Sequence, residues 1–190
     1  MKTLSLGLAV MITATQPLYA DGTQQAMEAF MTAQIMPWAS DPVLIAAIEA
    51  QNTTTSSYDQ AEIDMLDQLW RGYAASGDGD LINKVLQNAA ADFLRTQVSK
   101  SGGAITEIFI MDARGLNVAA SSVTSDYWQG DEAKFQETYQ VGPTAVHFGD
   151  VELDDSTQQV QGQVSMTMTD HDTGQPIGAM TIGINLTSLM

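Results

Sequence analysis

From Val160 to Thr169 apolar and polar residues alternate one for one, with Val160, Gly162, Val164, Met166 and Met168 set against Gln161, Gln163, Ser165, Thr167 and Thr169. Successive side chains of a strand point to opposite faces, so a period of two demands a strand with one buried face. A helix would smear the same residues around its circumference. Asp170-His171-Asp172-Thr173-Gly174 then turns the chain, and Ile177 to Leu186 is a second apolar strand. A connection this short allows only antiparallel pairing. An antiparallel sheet with one dry face is therefore required, and the rest of the chain has to supply its cover.

The first half of the chain reads as that cover. Gln24 to Met36 carries Met27, Phe30, Met31 and Ile35 on one stripe, which stops before Pro37. Asp41 followed by Pro42 is a good helix start, an acid at the cap and a proline at the first helical position, and Val43, Leu44, Ala47 and Ile48 then share a face. Asn52 to Ser57 is a polar break, and Ser57 with Gln60 offers a capping box for a helix whose stripe is Ile63, Leu66, Leu69, Trp70 and Tyr73. Ser76-Gly77-Asp78-Gly79 ends it. Asp80 caps a further helix with Leu81, Ile82, Val85, Leu86, Ala89, Phe93 and Leu94 on one side, until Gly102-Gly103 stops it.

Beyond those glycines the period changes from helical to extended. Ile105 to Met111 and Leu116 to Ala120 are short strands joined by Asp112-Ala113-Arg114-Gly115, a hairpin turn with Gly in a left-handed position. Asp131 to Tyr139 reads as one short helix and Val146 to Leu153 as a third strand. The fold class is α+β: N-terminal helices packed on a five-stranded antiparallel sheet, in one domain.

Residues 1–20 have the layout of a secretory signal peptide: Lys2, an apolar run from Leu4 to Ala14, a break at Gln16-Pro17 and a small residue, Ala20, at the expected cut before Asp21. The run of about 11 residues is far short of the roughly 20 that span a bilayer. The expectation is a periplasmic or secreted product, residues 21–190, with no membrane insertion. Twenty-three Asp and Glu against seven Lys and Arg give a net charge of −16, which repels a phosphate backbone and disfavours nucleic acid. With no Cys, thiol nucleophiles, thiolate metal sites and disulfides are excluded.

The runs Glu107-Ile-Phe-Ile-Met-Asp112-Ala-Arg-Gly115-Leu-Asn-Val-Ala, Thr124-Ser-Asp-Tyr-Trp-Gln-Gly-Asp131-Glu-Ala-Lys-Phe135 and Gly174-Gln-Pro-Ile-Gly178-Ala-Met-Thr-Ile-Gly resemble an extracytoplasmic sensor domain of the Cache type. The resemblance spans roughly Asp41 to Leu189. It implies a PAS-like sheet, with a small ligand held between the sheet and the loop and helix that follow the second strand. It also implies a membrane receptor or sensor kinase as partner. Because the chain stops at Met190, about where the last strand finishes, the expectation is a free-standing exported member with no signalling domain of its own.

Within the central run, Tyr127 and Trp128 offer aromatic faces, Asp126 and Asp131 carboxylates and Gln129 an amide, a combination suited to a cation or a polarised amine. The competing reading makes Asp131 a helix cap, Trp128 core and Tyr127 surface. Amino-acid-sensing domains of the family carry an Arg two residues before a Trp, for the ligand carboxylate, and an Asp in the final strand, for its amino group. Here Asp126 and Asn185 stand at those places, so an α-carboxylate would meet a like charge. The candidate ligand-binding residues are thus Asp126, Tyr127, Trp128, Gln129, Asp131 and Asn185.

Enzymatic chemistry is poorly supported: the two histidines, His147 and His171, come with no Gly-x-Ser-x-Gly elbow, and Asp78-Gly79-Asp80 lacks the spaced ligands and closing Glu of a calcium loop. The sequence therefore reads as a non-enzymatic, cofactor-free module that binds a cationic or polar neutral small molecule. The alternative is a structural or interaction protein of the same fold, its pocket filled by side chains such as Met166 and Met168.

Overall fold

The structure, a computed structural model, describes residues 17–74, 79–154 and 159–189. Residues 1–16 of the expected export segment and the Ser76-Gly77-Asp78 break lie outside the described residues. Helices α1 (Pro17–Phe30), α2 (Met36–Ala39), α3 (Pro42–Thr55), α4 (Gln60–Ala74), α5 (Asp80–Leu86) and α6 (Ala89–Lys100) precede strands β1 (Ile105–Asp112) and β2 (Asn117–Ala120). A single turn, α7 (Ala133–Gln136), follows, then β3 (Val146–Phe148), β4 (Glu152–Asp154), β5 (Gln159–Thr169) and β6 (Pro176–Asn185). The strands form one antiparallel sheet in the order β2-β1-β6-β5-β3, with β4 pairing β5 beyond β3. The α+β class and the five-strand path are as expected, and the sixth strand arises because Val146 to Leu153 breaks at Gly149-Asp150 into β3 and β4.

The alternation in β5 places Val164, Met166 and Met168 on the helix-covered face, all within 6% of full burial. There they join Ile108 and Ile110 of β1, Met180, Ile182 and Ile184 of β6, and Leu44, Ile45 and Ile48 of α3 in the main core. The opposite face is partly apolar. Phe109, Met111 and Ala179 pack there with Ile63 and Trp70 of α4, Val85 of α5, and Tyr127 and Phe135 of the β2–β3 connector.

Several helix boundaries move, each for a local reason. The first stripe does not stop at Pro37: a π-helical turn, Met31–Ile35, joins α1 to α2, and widening before a proline accommodates its missing N–H and its ring. Asp41 does cap α3, accepting from Val43 N at 2.9 Å. That helix continues through the supposed break to Thr55, because Gln51 and Thr55 are buried and hydrogen-bonded to Asp112. The capping box before α4 is Asp59 with Glu62 rather than Ser57 with Gln60: Glu62 N donates to Asp59 Oδ1 at 2.9 Å and Asp59 N donates to Glu62 Oε2 at 3.0 Å. The helix drawn from Asp80 is two, since Asn88 interrupts it to cap α6 through Ala91 N and donates to Val118 O of β2. Among the described residues no helix is long and apolar enough to cross a membrane.

Candidate functional site

The β1–β2 turn anchors the neighbourhood. Gly115 has φ +79°, and a Cβ there would lie 2.7 Å from the Gly130 backbone, so only glycine lets the connector cross the hairpin. Gln129 N donates to Gly115 O at 2.8 Å, and Asn117 N to Tyr127 O at 3.0 Å, which lays residues 127–130 beside β2. Asp67 of α4 holds the same stretch from the other side, accepting from Tyr127 N at 2.9 Å and Trp128 N at 3.1 Å.

That arrangement decides what the candidate residues do. Tyr127 is 1% exposed and stacks on Trp70 with ring centroids 5.6 Å apart; burial, then Asp112 and Tyr58, push its phenol up. Gln129 is buried and donates to Asp126 O. The Asp126 carboxylate faces Arg71 Nε at 3.0 Å, and Arg71 also bridges to Asp67 at 2.8 Å. The charge meant for a ligand is thus met by an arginine of α4. Trp128 is half-buried, its indole N–H donating to Arg114 O at 2.9 Å, and it walls a depression of about 230 Å³ with Gln60, Ile63, Arg114, Phe135 and Gln140.

Asp131 is exposed and does not cap a helix: α7 starts after Glu132, and no side chain caps it. Asn185 is set apart from the others. Its N–H donates to Ala104 O and its side chain accepts from Thr187 N, at the end of the sheet where β1 begins. Trp128 bridges Leu116, past the other end of that eight-residue strand, roughly 25 Å away at about 3.3 Å per residue. The structure therefore gathers Asp126 to Gln129 along β2 and separates Asn185 from them.

A larger space lies farther along the same sheet face. Between α7 and strands β3 and β5 is a cavity of about 400 Å³ bordered by Glu132, Lys134, His147, Asp150, Gln161 and Gln163. Its floor follows from the alternation: His147 pairs with Ser165, and Gln161, Gln163, Ser165 and Thr167 share the face opposite the methionines. Ser165 and Thr181, both fully buried, answer one another with hydroxyls 2.9 Å apart. Gln163 Nε2 donates to Glu107 Oε1 at 3.5 Å beside the floor, across β6 on the same sheet face. Lys134 bridges to Glu132 at 2.9 Å and reaches over the Phe109 ring, 5.5 Å from its centroid. Burial raises the Glu107 carboxyl above its ordinary range, opposed by the Lys134 charge.

Lys134 and Glu132 pair with one another, which leaves Asp150 at the border and Glu107 beside it on the same sheet face as the carboxyls in excess. The space can therefore satisfy a donor-rich or positively charged guest better than an anion. Its volume falls within the roughly 300–1,000 Å³ of small-molecule sites, whereas the depression beside Trp128 falls below it. Sequence reasoning missed these residues. The signal available was the polar half of the β5 alternation, which a two-residue period assigns to water unless something roofs it.

No family model matches the chain, and no curated protein is significantly similar to it. Among solved structures, it is similar to the ligand-binding domain of the Pseudomonas aeruginosa PAO1 amino-acid chemoreceptor PctC in complex with GABA, at 13% identity and a TM-score of 0.41, covering 90% of this chain and 58% of that one. It is also similar to the ligand-binding domain of the Campylobacter jejuni chemoreceptor Tlp3 in complex with 4-methylisoleucine, at 13% identity and a TM-score of 0.41, covering 92% and 63%. A third is the sensor domain of the V. cholerae histidine kinase DctB, at 15% identity and a TM-score of 0.40, covering 89% and 54%. The chain thus spans less than two thirds of each of these structures. All three are ligand-binding or sensor domains. At these scores the likeness brings no ligand, partner or activity to this chain.

Proposed function

We propose that the protein is an exported small-molecule binding module of the sensor type, taking a cationic or polar neutral ligand between α7 and β5. The observation that carries this reading is the roughly 400 Å³ cavity, bordered by charged and amide side chains and roofed by the segment that follows β2. That is where the resemblance implies a ligand. Glu132, Asp150, Gln161 and Gln163 would accept from an amine or hydroxyls, and His147 and Lys134 would mark its ends. The alternative, a pocketless protein of the same fold, calls for side chains such as Met166 and Met168 to fill this space. They pack on the other face of the sheet, which supports the ligand-binding reading.

A thermal-shift screen of amines, quaternary ammonium compounds, polyols, purines and carboxylic acids tests it. A ligand at about 100 times its dissociation constant adds roughly 2.7 kcal/mol. Asp150→Asn is expected to reduce the shift given by a cationic hit, and His147→Ala to remove shape complementarity for any hit. Trp128→Ala should lower the baseline melting temperature yet leave the ligand-induced rise intact. Stabilisation by carboxylic acids alone would refute the charge argument. Loss of the rise in Trp128→Ala, with Asp150→Asn unaffected, would return the site to the β2 side.

A further inference from the structure

A second concavity, toward the other end of the same β5–β3 edge, has a different character. Strand β3 covers β5 only as far as Met166, so the last residues of β5 form an open edge. Thr167 N donates outward to Ala145 O and Asp170 N donates inward to Gln175 O, so by alternation Thr169 turns its main-chain N–H and C=O to that open edge. The edge runs along a cavity of about 190 Å³ bordered by Met36, Ile45, Val146, Met166 and Met168. Met36 is 51% exposed and Val146 37%.

One end of this groove is acidic. Glu49 lies one helical turn beyond Ile45, Asp170 follows Thr169 directly, and His171 fastens the turn to Ser40 O at 3.2 Å. Asp170, and with it Asp172, sits close enough to Glu49 to raise its carboxyl above the ordinary range. The volume is below the roughly 300 Å³ at which small-molecule sites begin and suits one apolar side chain. A second copy of a chain with net charge −16 would set acid against acid.

We propose that this groove docks an extended segment of a partner protein, which adds to the open edge of β5, seats an apolar side chain among Met36, Ile45 and Met168, and sets a Lys or Arg against Glu49, Asp170 and Asp172. Recognition is by β-augmentation: main-chain bonds supply affinity, and the alternate side chain with its basic flank supplies specificity. The site is on the apolar face of the β5–β3 edge, whereas the ligand cavity is on its polar face toward the other end of β5, so it stands or falls independently of the ligand reading.

The test is an NMR titration of the purified, nitrogen-15-labelled protein with the synthetic peptide Lys-Val-Thr-Val-Thr-Val-Lys and its Glu-flanked counterpart. Shifts concentrated on residues 40–45 and 166–170 are expected for the basic peptide, with binding about tenfold weaker for the Glu-flanked one. Met36→Glu, an exposed position whose variant should keep the native circular dichroism, is expected to weaken the basic peptide by a similar factor, and Glu49→Lys with Asp172→Lys to erase the preference between the two. Equal affinity for both peptides, or shifts elsewhere, would overturn the proposal. So would a peptide-free dimer in sedimentation that Met36→Glu dissolves, which would assign the groove to a second copy.

Discussion

Replacing Asp112 by Asn tests the polar knot that ties the helical cover to the hairpin. The carboxylate is 0% exposed and accepts four hydrogen bonds: Arg114 N at 2.8 Å and Leu116 N at 3.0 Å on Oδ1, Gln51 Nε2 at 2.9 Å and Thr55 Oγ1 at 2.8 Å on Oδ2. Asn keeps the shape and the first oxygen but presents an NH₂ to Gln51 and Thr55. Thr55 can turn its hydroxyl to Gln51 O, 3.1 Å away. Gln51 has no such escape, because its amide also donates to Asn117 O at 3.2 Å and a flip would set oxygen against oxygen. One charge-assisted bond therefore becomes a donor–donor contact and another weakens, a cost of about 2–4 kcal/mol. Against a total stability of roughly 5–15 kcal/mol this is large, and it corresponds to a melting temperature lower by roughly 5–15 °C at this size. Urea unfolding should show a lower midpoint with an unchanged slope. Thr55→Val should cost about 1 kcal/mol, and the two changes should couple. A loss below about 0.5 kcal/mol for Asp112→Asn, or one no greater than that of Thr55→Val, would refute the reasoning.

Val164→Asp buries a charge at a 0% exposed position of the main core, so a loss upwards of about 3 kcal/mol is expected in thermal or urea unfolding. Gln163→Asp looks harmless from the alternation alone, but it brings a carboxylate toward Glu107, so it should cost measurably more at pH 7 than Gln163→Ser. For Glu107, burial raises the folded pKa above 4.5; its contribution to stability is thus complete below that value and lost as pH rises through the folded pKa. Glu107→Gln should flatten that part of the stability–pH curve and raise the melting point at neutral pH. Mass spectrometry of the exported protein should give a chain beginning at Asp21; one retaining Met1 would contradict the export reading.

The elements legible from sequence are those set by neighbours within a few positions. The β5 alternation, the Gly115 turn and the Asp41-Pro42 helix start depend on local sterics and capping, and all three stand as expected. The boundaries that moved were decided from far away. Asn52 to Thr55 looks like a break because Asn and Thr are poor helix formers, yet Asn52 donates to Ile177 O and accepts from Ala113 N, while Thr55 serves Asp112. Partners 57 to 125 positions away outweigh a propensity difference of a few tenths of a kcal/mol per residue. Asn88 is the converse case: a capping preference strong enough to cut a continuous apolar stripe in two.

The site follows the same division. Asp126, Tyr127 and Trp128 carry the residue types of a cation cage, but a cage needs its acid and its aromatic face open, and Arg71 pairs with the acid, Trp70 stacks on the Tyr127 ring and Asp67 pins the backbone between them. They lie about 55 to 60 positions upstream, on a helix whose apolar stripe says nothing of what its polar side will meet. Conversely, Gln161 and Gln163 look like solvent-facing residues because a period of two reports only that the faces differ, never what covers the polar one. The roof is a single helical turn with no side-chain cap, held through Lys134 and Phe135. So short an element leaves almost no periodic trace. A polar strand face opposite a dry core face is therefore ambiguous between water and a ligand site until the connector is placed over it. In this protein the Ser165–Thr181 pair shows that the middle of that face is covered, since two hydroxyls at 0% exposure that bond to each other do not belong to an outer surface.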